Sequence, residues 1–224
     1  MELGFVSQAE GSVLVTFGKT RVLCNATLDK EVPRWLKGQG KGWVTAEYAL
    51  MPRSTNSRVD RERRGASGRT QEIQRLIGRS LRAATNLEAM GERQIIVDCD
   101  VIEADGGTRT AAITGGFVAL ALAMRQLKAE AGIVAPLLKG WLAAVSVGVS
   151  DGIPVLDLNY EEDSKAGTDM NVVAFDADRL VEVQGTAEHG AYSRKELDAL
   201  LDLALGGIAS LVEVQKGALG GELP

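Results

Sequence analysis

The stretch Asp105-Gly106-Gly107-Thr108-Arg109-Thr110 constrains the folding of this chain more than any other. It joins a strand-like segment, Arg93 to Ile102, to a run from Ala111 to Met124 that is nearly all apolar or small. The paired glycines let the backbone turn sharply where a side chain would clash. A helix beginning near Thr108 leaves its first N–H groups without internal partners. Those donors, the helix dipole and the Arg109 guanidinium together favour an anion, most naturally a phosphate. An ordinary strand-to-helix turn with a surface arginine, its helix capped by Asp105 or Thr108, fits the same residues equally well. The balance is set by the rest of the chain: a second arginine at a helix start, and carboxylates further on.

A chain of 224 residues can bury a substantial core as one large domain or two small ones. Its formal charge, 25 − 30 = −5, means that any nucleic-acid surface has to be a local patch. The two cysteines, Cys24 and Cys99, sit in separate strand-like runs without paired spacing, which reads as reduced thiols in a cytoplasmic protein. A lone histidine, His189, argues against a histidine-built zinc site and a Ser-His-Asp centre, and reads as a solvated loop residue. No signal peptide or membrane span is expected, because Ala111 to Met124 falls short of the ~20 residues a span needs. Its Thr, Gly and Ala content suits a helix wedged between sheets.

Taken in order, Ser12–Phe17 and Arg21–Leu28 predict a hairpin, Val32–Gly42 a loop, and Trp43–Leu50 a third strand. Met51 to Arg69 has no periodicity and holds Arg53, Arg58, Arg61, Arg63, Arg64 and Arg69 against only Asp60 and Glu62. Such a loop is a solvated connection or an RNA-backbone patch without stacking aromatics, and the acidity of the remaining chain favours the patch. Gly68-Arg69-Thr70 opens a helix to about Leu87, with Ile73, Leu76, Ile77, Leu81 and Ala84 as its buried stripe. Arg69 at that N-terminus opposes the helix dipole unless an anion is bound.

Trp141–Val149 and Ile153–Tyr160 predict strands joined at Asp151-Gly152. Met170–Phe175 and Arg179–Gln184 form a second pair across Asp176-Ala177-Asp178. Between the pairs, Glu161 to Asp169 carries four acids in nine residues. Beside a phosphate site, such carboxylates suit magnesium, which is commonly shared between protein acids and substrate phosphates. Ser193-Arg194-Lys195-Glu196 is a capping box opening a helix with the stripe Leu197, Leu200, Leu201, Ala204, Ile208, Leu211, and the tail after Lys216 is expected to fray. The order predicts an α/β (α+β) fold of two layers, with mixed sheets and helices. We expect one domain, 1–224, built from two similar halves, about 1–130 and 131–224.

Several segments resemble the bacterial ribonuclease PH family: Lys37-Gly38-Gln39-Gly40 through Arg53-Ser54-Thr55, Gly68-Arg69-Thr70-Gln71-Glu72-Ile73, and Asp98-Cys99-Asp100-Val101 through Gly106-Gly107-Thr108-Arg109-Thr110. Glu162-Asp163-Ser164 through Asp169-Met170-Asn171 and Glu182-Val183-Gln184-Gly185-Thr186 continue the match in order to the end of the chain. The resemblance implies the ribonuclease PH / polynucleotide phosphorylase core fold in a homohexamer, a trimer of dimers. It implies phosphorolytic 3′-to-5′ trimming of tRNA precursors and other structured RNA 3′ ends, with inorganic phosphate as co-substrate and magnesium as cofactor. Its phosphate-binding positions match Arg69, Gly107, Thr108 and Arg109, and its active-site and metal-holding carboxylates match Asp163 and Asp169. The arginines Arg53, Arg58, Arg61, Arg63 and Arg64 are expected to hold the RNA backbone. Relatives usually carry a further Arg/Asp/Gly/Arg-containing segment before the position of Gly4, and many carry an acid where this chain has Gly167. A non-catalytic RNA-binding ring subunit and a hydrolytic phosphoesterase are the alternatives, and intact Arg69, Arg109, Asp163 and Asp169 argue against the first.

Overall fold

The computed structural model of the chain describes residues 1–224 except Arg64, Asp151, Ala177 and His189. The expected roles of Arg64 and His189, and part of the turns at Asp151-Gly152 and Asp176-Ala177-Asp178, therefore lie outside the described residues.

The first sheet holds β1 (Glu2–Leu3), β2 (Gly11–Phe17), β3 (Thr20–Asp29), β4 (Trp43–Leu50) and β5 (Gln94–Glu103) in the order β1-β2-β3-β5-β4. β2 and β3 form the expected antiparallel hairpin, whereas β4 runs parallel to β5, which makes the sheet mixed. A parallel pair requires a crossover, and α1 (Gly68–Ala84) supplies it. Its stripe of Ile73, Leu76, Ile77, Leu81 and Ala84 is fully buried. The helix stops before Leu87: Thr85 turns extended, and a separate short helix, α2 (Leu87–Met90), restarts under an Asn86 cap. The loop before β4 contains one helical turn, Arg34–Leu36, whose Trp35 packs edge-on to Trp43.

The second sheet has the order β7-β6-β8-β9, from β6 (Leu142–Ser150), β7 (Ile153–Leu156), β8 (Thr168–Phe175) and β9 (Arg179–Ala187). Between the two sheets runs α3 (Thr108–Ala131), which packs on β2, β3 and β5 on one side and on β6 and β8 on the other. It is longer than the expected apolar run. At 24 residues it has the length and apolarity of a membrane span, but 83% of its most apolar window is buried inside the protein. A helix apolar all round belongs in such a core. The cysteines prove to be register partners across β3 and β5. Both thiols are free and donate to the Ala112 carbonyl.

Two further expectations need correction. β7 ends at Leu156, not Tyr160, because Asp157 adopts a left-handed φ of 58° and Asn159 then caps a short helix, α4 (Tyr160–Asp163). The C-terminal tail does not fray. The capping box at Ser193 opens α5 (Arg194–Leu219) as expected, and Arg125 then donates to the carbonyls of Leu219 and Glu222, while Leu137 N–H donates to the carbonyl of Pro224.

The approach of β2 to α3 depends on Gly11, where an added Cβ would lie 1.9 Å from the Ala119 carbonyl oxygen. Backbone cannot yield as a side chain can, so Gly11→Ala is expected to destabilise the protein by about 1–3 kcal/mol although it adds one methyl group. Urea unfolding measures this, and an unchanged midpoint would show that the helix can move away from the sheet at little cost.

Candidate active site

The turn between β5 and α3 is held from two sides. Thr20 Oγ1 donates to the Gly106 carbonyl at 2.6 Å and accepts from Asp105 N–H at 2.8 Å. Gly106 has φ 86°, and a Cβ there would sit 2.1 Å from the Leu158 carbonyl oxygen. The second half of the chain thus crosses the turn at a separation only glycine permits. Gly107, with φ 56°, is the residue before the helix, and no side chain caps α3. The alternative of a cap by Asp105 or Thr108 is therefore removed, and the N-terminus of α3 lines an open cleft of about 580 Å³.

That cleft gathers Arg69, Gly107, Thr108 and Arg109 with Asp163 and Asp169, so the proposed phosphate ligands and carboxylates from both halves share one space. Arg69 lies in the first turn of α1, behind the Ser67 cap, and makes no ion pair among the described residues. An unpaired cation at a helix N-terminus is an unfavourable arrangement that an anion relieves. Arg109 is held on its far side: its guanidinium lies 3.4 Å from Gln184 Oε1 and 3.6 Å from Glu72 Oε2. Gln184 Nε2 donates in turn to Glu72 and to Glu182, which pairs with Arg79. Elements from both halves thereby fix the direction of one arginine.

Sequence reasoning missed four lining groups. Tyr48 on β4 is buried, and its hydroxyl is 2.8 Å from Thr108 Oγ1. Burial pushes its phenol up, while Thr108, Arg69 and Arg109 pull it down. Ser146 and Asn171 are register partners on β6 and β8, and Ser146 Oγ is buried without a hydrogen-bond partner among the described residues. Tyr160 stands at the rim. Only the alternation of β4 hinted at Tyr48; the others depend on strand pairing and on the turn at Asp157.

Asp163 closes α4, and Asp169 lies within β8 opposite Gly148 and Thr186, not in the loop that the sequence suggested. Loss of solvent in the cleft raises both carboxyls above the ordinary aspartate range. Asp169 is raised further by Asp163, and Arg109 and Arg69 pull both down. Two crowded carboxylates with raised affinity for protons are a donor set for a hard cation. The described residues contain no cluster of three or more metal-ligating side chains, so a cation would complete its shell with water and substrate oxygens. This fits magnesium better than a metal that needs a full protein cage.

The arginine loop contributes Thr55 and Arg69 to the cleft, and its other described arginines do not line it. Arg58, Arg61 and Arg63 line a separate surface depression with Asp60 and Glu62, and Arg58 pairs with Asp60. Arg53 donates back to the Asn56 carbonyl.

Comparisons with known proteins give the family. The model of the 3′ exoribonuclease family (ribonuclease PH), domain 1, matches residues 1–126, and that of domain 2 matches residues 140–207. The chain belongs to the ribonuclease PH family. It is 57% identical over 222 residues to ribonuclease PH of Moorella thermoacetica, covering 98% of this chain and 89% of that protein. Among solved structures it resembles Rrp46 of rice (Oryza sativa), with a TM-score of 0.77 at 20% identity, covering 97% of this chain and 92% of that one. The Archaeoglobus fulgidus exosome with RNA bound to the active site gives the same TM-score and identity, over 95% and 86% of the two chains. At these identities the structural likenesses establish the fold alone.

The raised carboxyls have a consequence for stability. A carboxyl whose folded pKa exceeds its unfolded value stabilises the fold only while protonated; that contribution is lost as pH rises through the folded pKa. Asp169→Asn is therefore expected to raise Tm at neutral pH, with the gain shrinking as pH falls through the raised folded pKa and gone once the pH is below the ordinary carboxylate range, while turnover drops by roughly 10²-fold or more. Thermal melts across pH and a turnover assay check both parts. A lowered neutral Tm would mean that the Asp169 carboxylate holds the fold together.

Proposed function

We propose that this chain is a phosphorolytic 3′-to-5′ exoribonuclease that trims tRNA precursors and other structured RNA 3′ ends. One observation carries the reading: an uncapped helix N-terminus flanked by Arg69 and Arg109 shares a cleft with Asp163 and Asp169. In this reading anion-holding groups stand on one side and cation-holding groups on the other, and phosphate, a substrate, serves as the nucleophile.

Inorganic phosphate would lie against the N–H groups at Thr108 and the two guanidiniums. One of its oxygens attacks the phosphorus of the last phosphodiester. The bond from that phosphorus to the O3′ of the penultimate nucleotide breaks. A nucleoside diphosphate leaves, with the attacking phosphate as its terminal group, and O3′ takes up a proton. Catalysis of this kind is positioning and charge stabilisation. Arg109, held by Gln184 and Glu72, orients the attacking phosphate. Asp163 and Asp169 would hold magnesium, which supplies charge neutralisation at the scissile phosphate. The cleft side of β8 leaves Asp169 within the group that could receive or return a proton.

We further propose that the chain works as a homohexamer, a trimer of dimers, in the cytoplasm. Support comes from the outer strands of the second sheet, which leave Ile153, Leu156, Leu180 and Val183 exposed. Such apolar sheet edges are normally covered.

Product identity tests the activity. With RNA, magnesium and inorganic phosphate, nucleoside diphosphates are expected, with no release when phosphate is omitted. Nucleoside monophosphates would mean hydrolysis, and no release under either condition would mean an RNA-binding subunit.

The separation of Arg58, Arg61 and Arg63 from the cleft predicts a division of labour. Neutralising the three should raise KM for a tRNA precursor and flatten the salt dependence of binding by roughly one unit of slope per lost phosphate contact. Trimming of a short single-stranded oligonucleotide should stay near wild type. Equal loss on both substrates, with assembly intact, would place these arginines in the chemistry.

A further inference from the structure

Tyr160 has no role in the mechanism above, yet its position is unusual. It is 59% exposed, among the most exposed large apolar or aromatic side chains of the protein, and it lines the same cleft as the carboxylates. The other aromatic residue in that lining among the described residues is Tyr48, which is 4% exposed and committed to Thr108. Tyr160 opens α4 and Asp163 closes it, three positions on. Residues so spaced stand side by side on one helical face, their Cβ atoms about 5–6 Å apart. The turn that presents them is pinned by a complete capping box between Asn159 and Glu162 and by Ser164 N–H donating to the Tyr160 carbonyl at 3.0 Å. No described residue hydrogen-bonds to the phenol. The chain therefore keeps a large ring on a fixed turn, in water, next to a carboxylate that faces the scissile phosphate.

We propose that Tyr160 is the stacking platform for the nucleobase of the 3′-terminal nucleotide. The inference rests on the phosphorolytic reading of the site and extends it to the substrate's base. If Asp163 serves the phosphate that links the last nucleotide, the base lies one sugar away from that phosphate. Tyr160 is the exposed ring at that range. An aromatic face accepts any of the four bases, because each has a π-face. A trimming enzyme that removes successive nucleotides requires that tolerance, and hydrogen-bonded readout of base edges would oppose it. Leu50, Ala104 and Ala166 add apolar surface to the same lining.

The test uses the full chain with Tyr160→Ala and Tyr160→Phe on two short oligonucleotides of the same length, one ending in an ordinary nucleotide and one ending in an abasic sugar. Tyr160→Ala should raise KM for the ordinary oligonucleotide roughly tenfold or more, the loss expected for one base–aromatic stack. KM for inorganic phosphate should stay within about twofold, since the phosphate is assigned to the N-terminus of α3 and the two guanidiniums and not to the ring. On the abasic oligonucleotide, wild type and Tyr160→Ala should be equal. Tyr160→Phe, which keeps the ring, should restore the ordinary KM. Equal KM for wild type and Tyr160→Ala on the ordinary oligonucleotide overturns the proposal. So does failure of Tyr160→Phe to restore it, which would assign the role to the hydroxyl, or a change in native mass in Tyr160→Ala, which would make the ring a subunit contact. Fluorescence anisotropy with the same oligonucleotides in the absence of phosphate reads the stack without turnover. If wild type releases no nucleoside diphosphate but Tyr160→Ala still loses base-dependent binding, the phosphorolytic reading fails and the stacking platform stands.

Discussion

The site exists because two backbone segments touch. Leu158 and Asn159, from the second half of the chain, lie against Gly106 of the first at a distance that no Cβ could share. Everything that follows Asn159 is placed by that contact: the capped turn of α4, Tyr160 and Asp163 upon it, and the return into β8 that carries Asp169. On the other side the same glycine opens the turn into α3, whose N-terminus faces the space so enclosed. A side chain at position 106 would push the carboxylates away from the arginines, and the two sets of charges would no longer address one phosphodiester.

Charge is arranged across this contact with little internal cancellation. Arg109 has partial partners in Glu72 and Gln184, and Arg69 has no ion-pair partner among the described residues. The two aspartates hold protons more tightly than free carboxyls do. Each half is thus electrostatically unsatisfied, and a pair of ligands, an anion and a hard cation, satisfies both. Carrying unsatisfied groups costs stability in the unliganded protein, as is usual where local rules are broken at a functional site. The contrast with Arg79 is informative: with Glu182 at hand it forms a closed pair, which braces Gln184 and leaves nothing for a ligand.

The elements that local pattern dictates were legible in the sequence. The β2–β3 hairpin, β4, the stripe of α1 and the Ser193 capping box depend on neighbours within a few turns or residues, and they stand where periodicity places them. The glycine turn and both arginines were legible because paired glycines before an apolar run mark a sharp turn, and a cation at a helix N-terminus opposes the dipole. What escaped was long-range. Alternation in Ile153–Tyr160 extended a strand that a left-handed Asp157 ends, which hid α4 and the presentation of Tyr160. Nothing local reveals that Gln184 orients Arg109, that Tyr48 meets Thr108, or that Cys24 faces Cys99. The tail looked free because the groups that bind it, on Arg125 and Leu137, lie far back in the chain.

The central claim is that the turn at Gly106 and Gly107, with Arg69 and Arg109, is a site for inorganic phosphate. Calorimetric titration of phosphate into the protein without RNA measures this most directly. One phosphate per chain is predicted, with affinity falling about tenfold or more in Arg69→Ala and in Arg109→Ala, the loss of a charge-assisted contact in each. In Asp169→Asn, which removes a nearby negative charge, affinity should hold or rise. Phosphate affinity unchanged in Arg109→Ala would contradict the account.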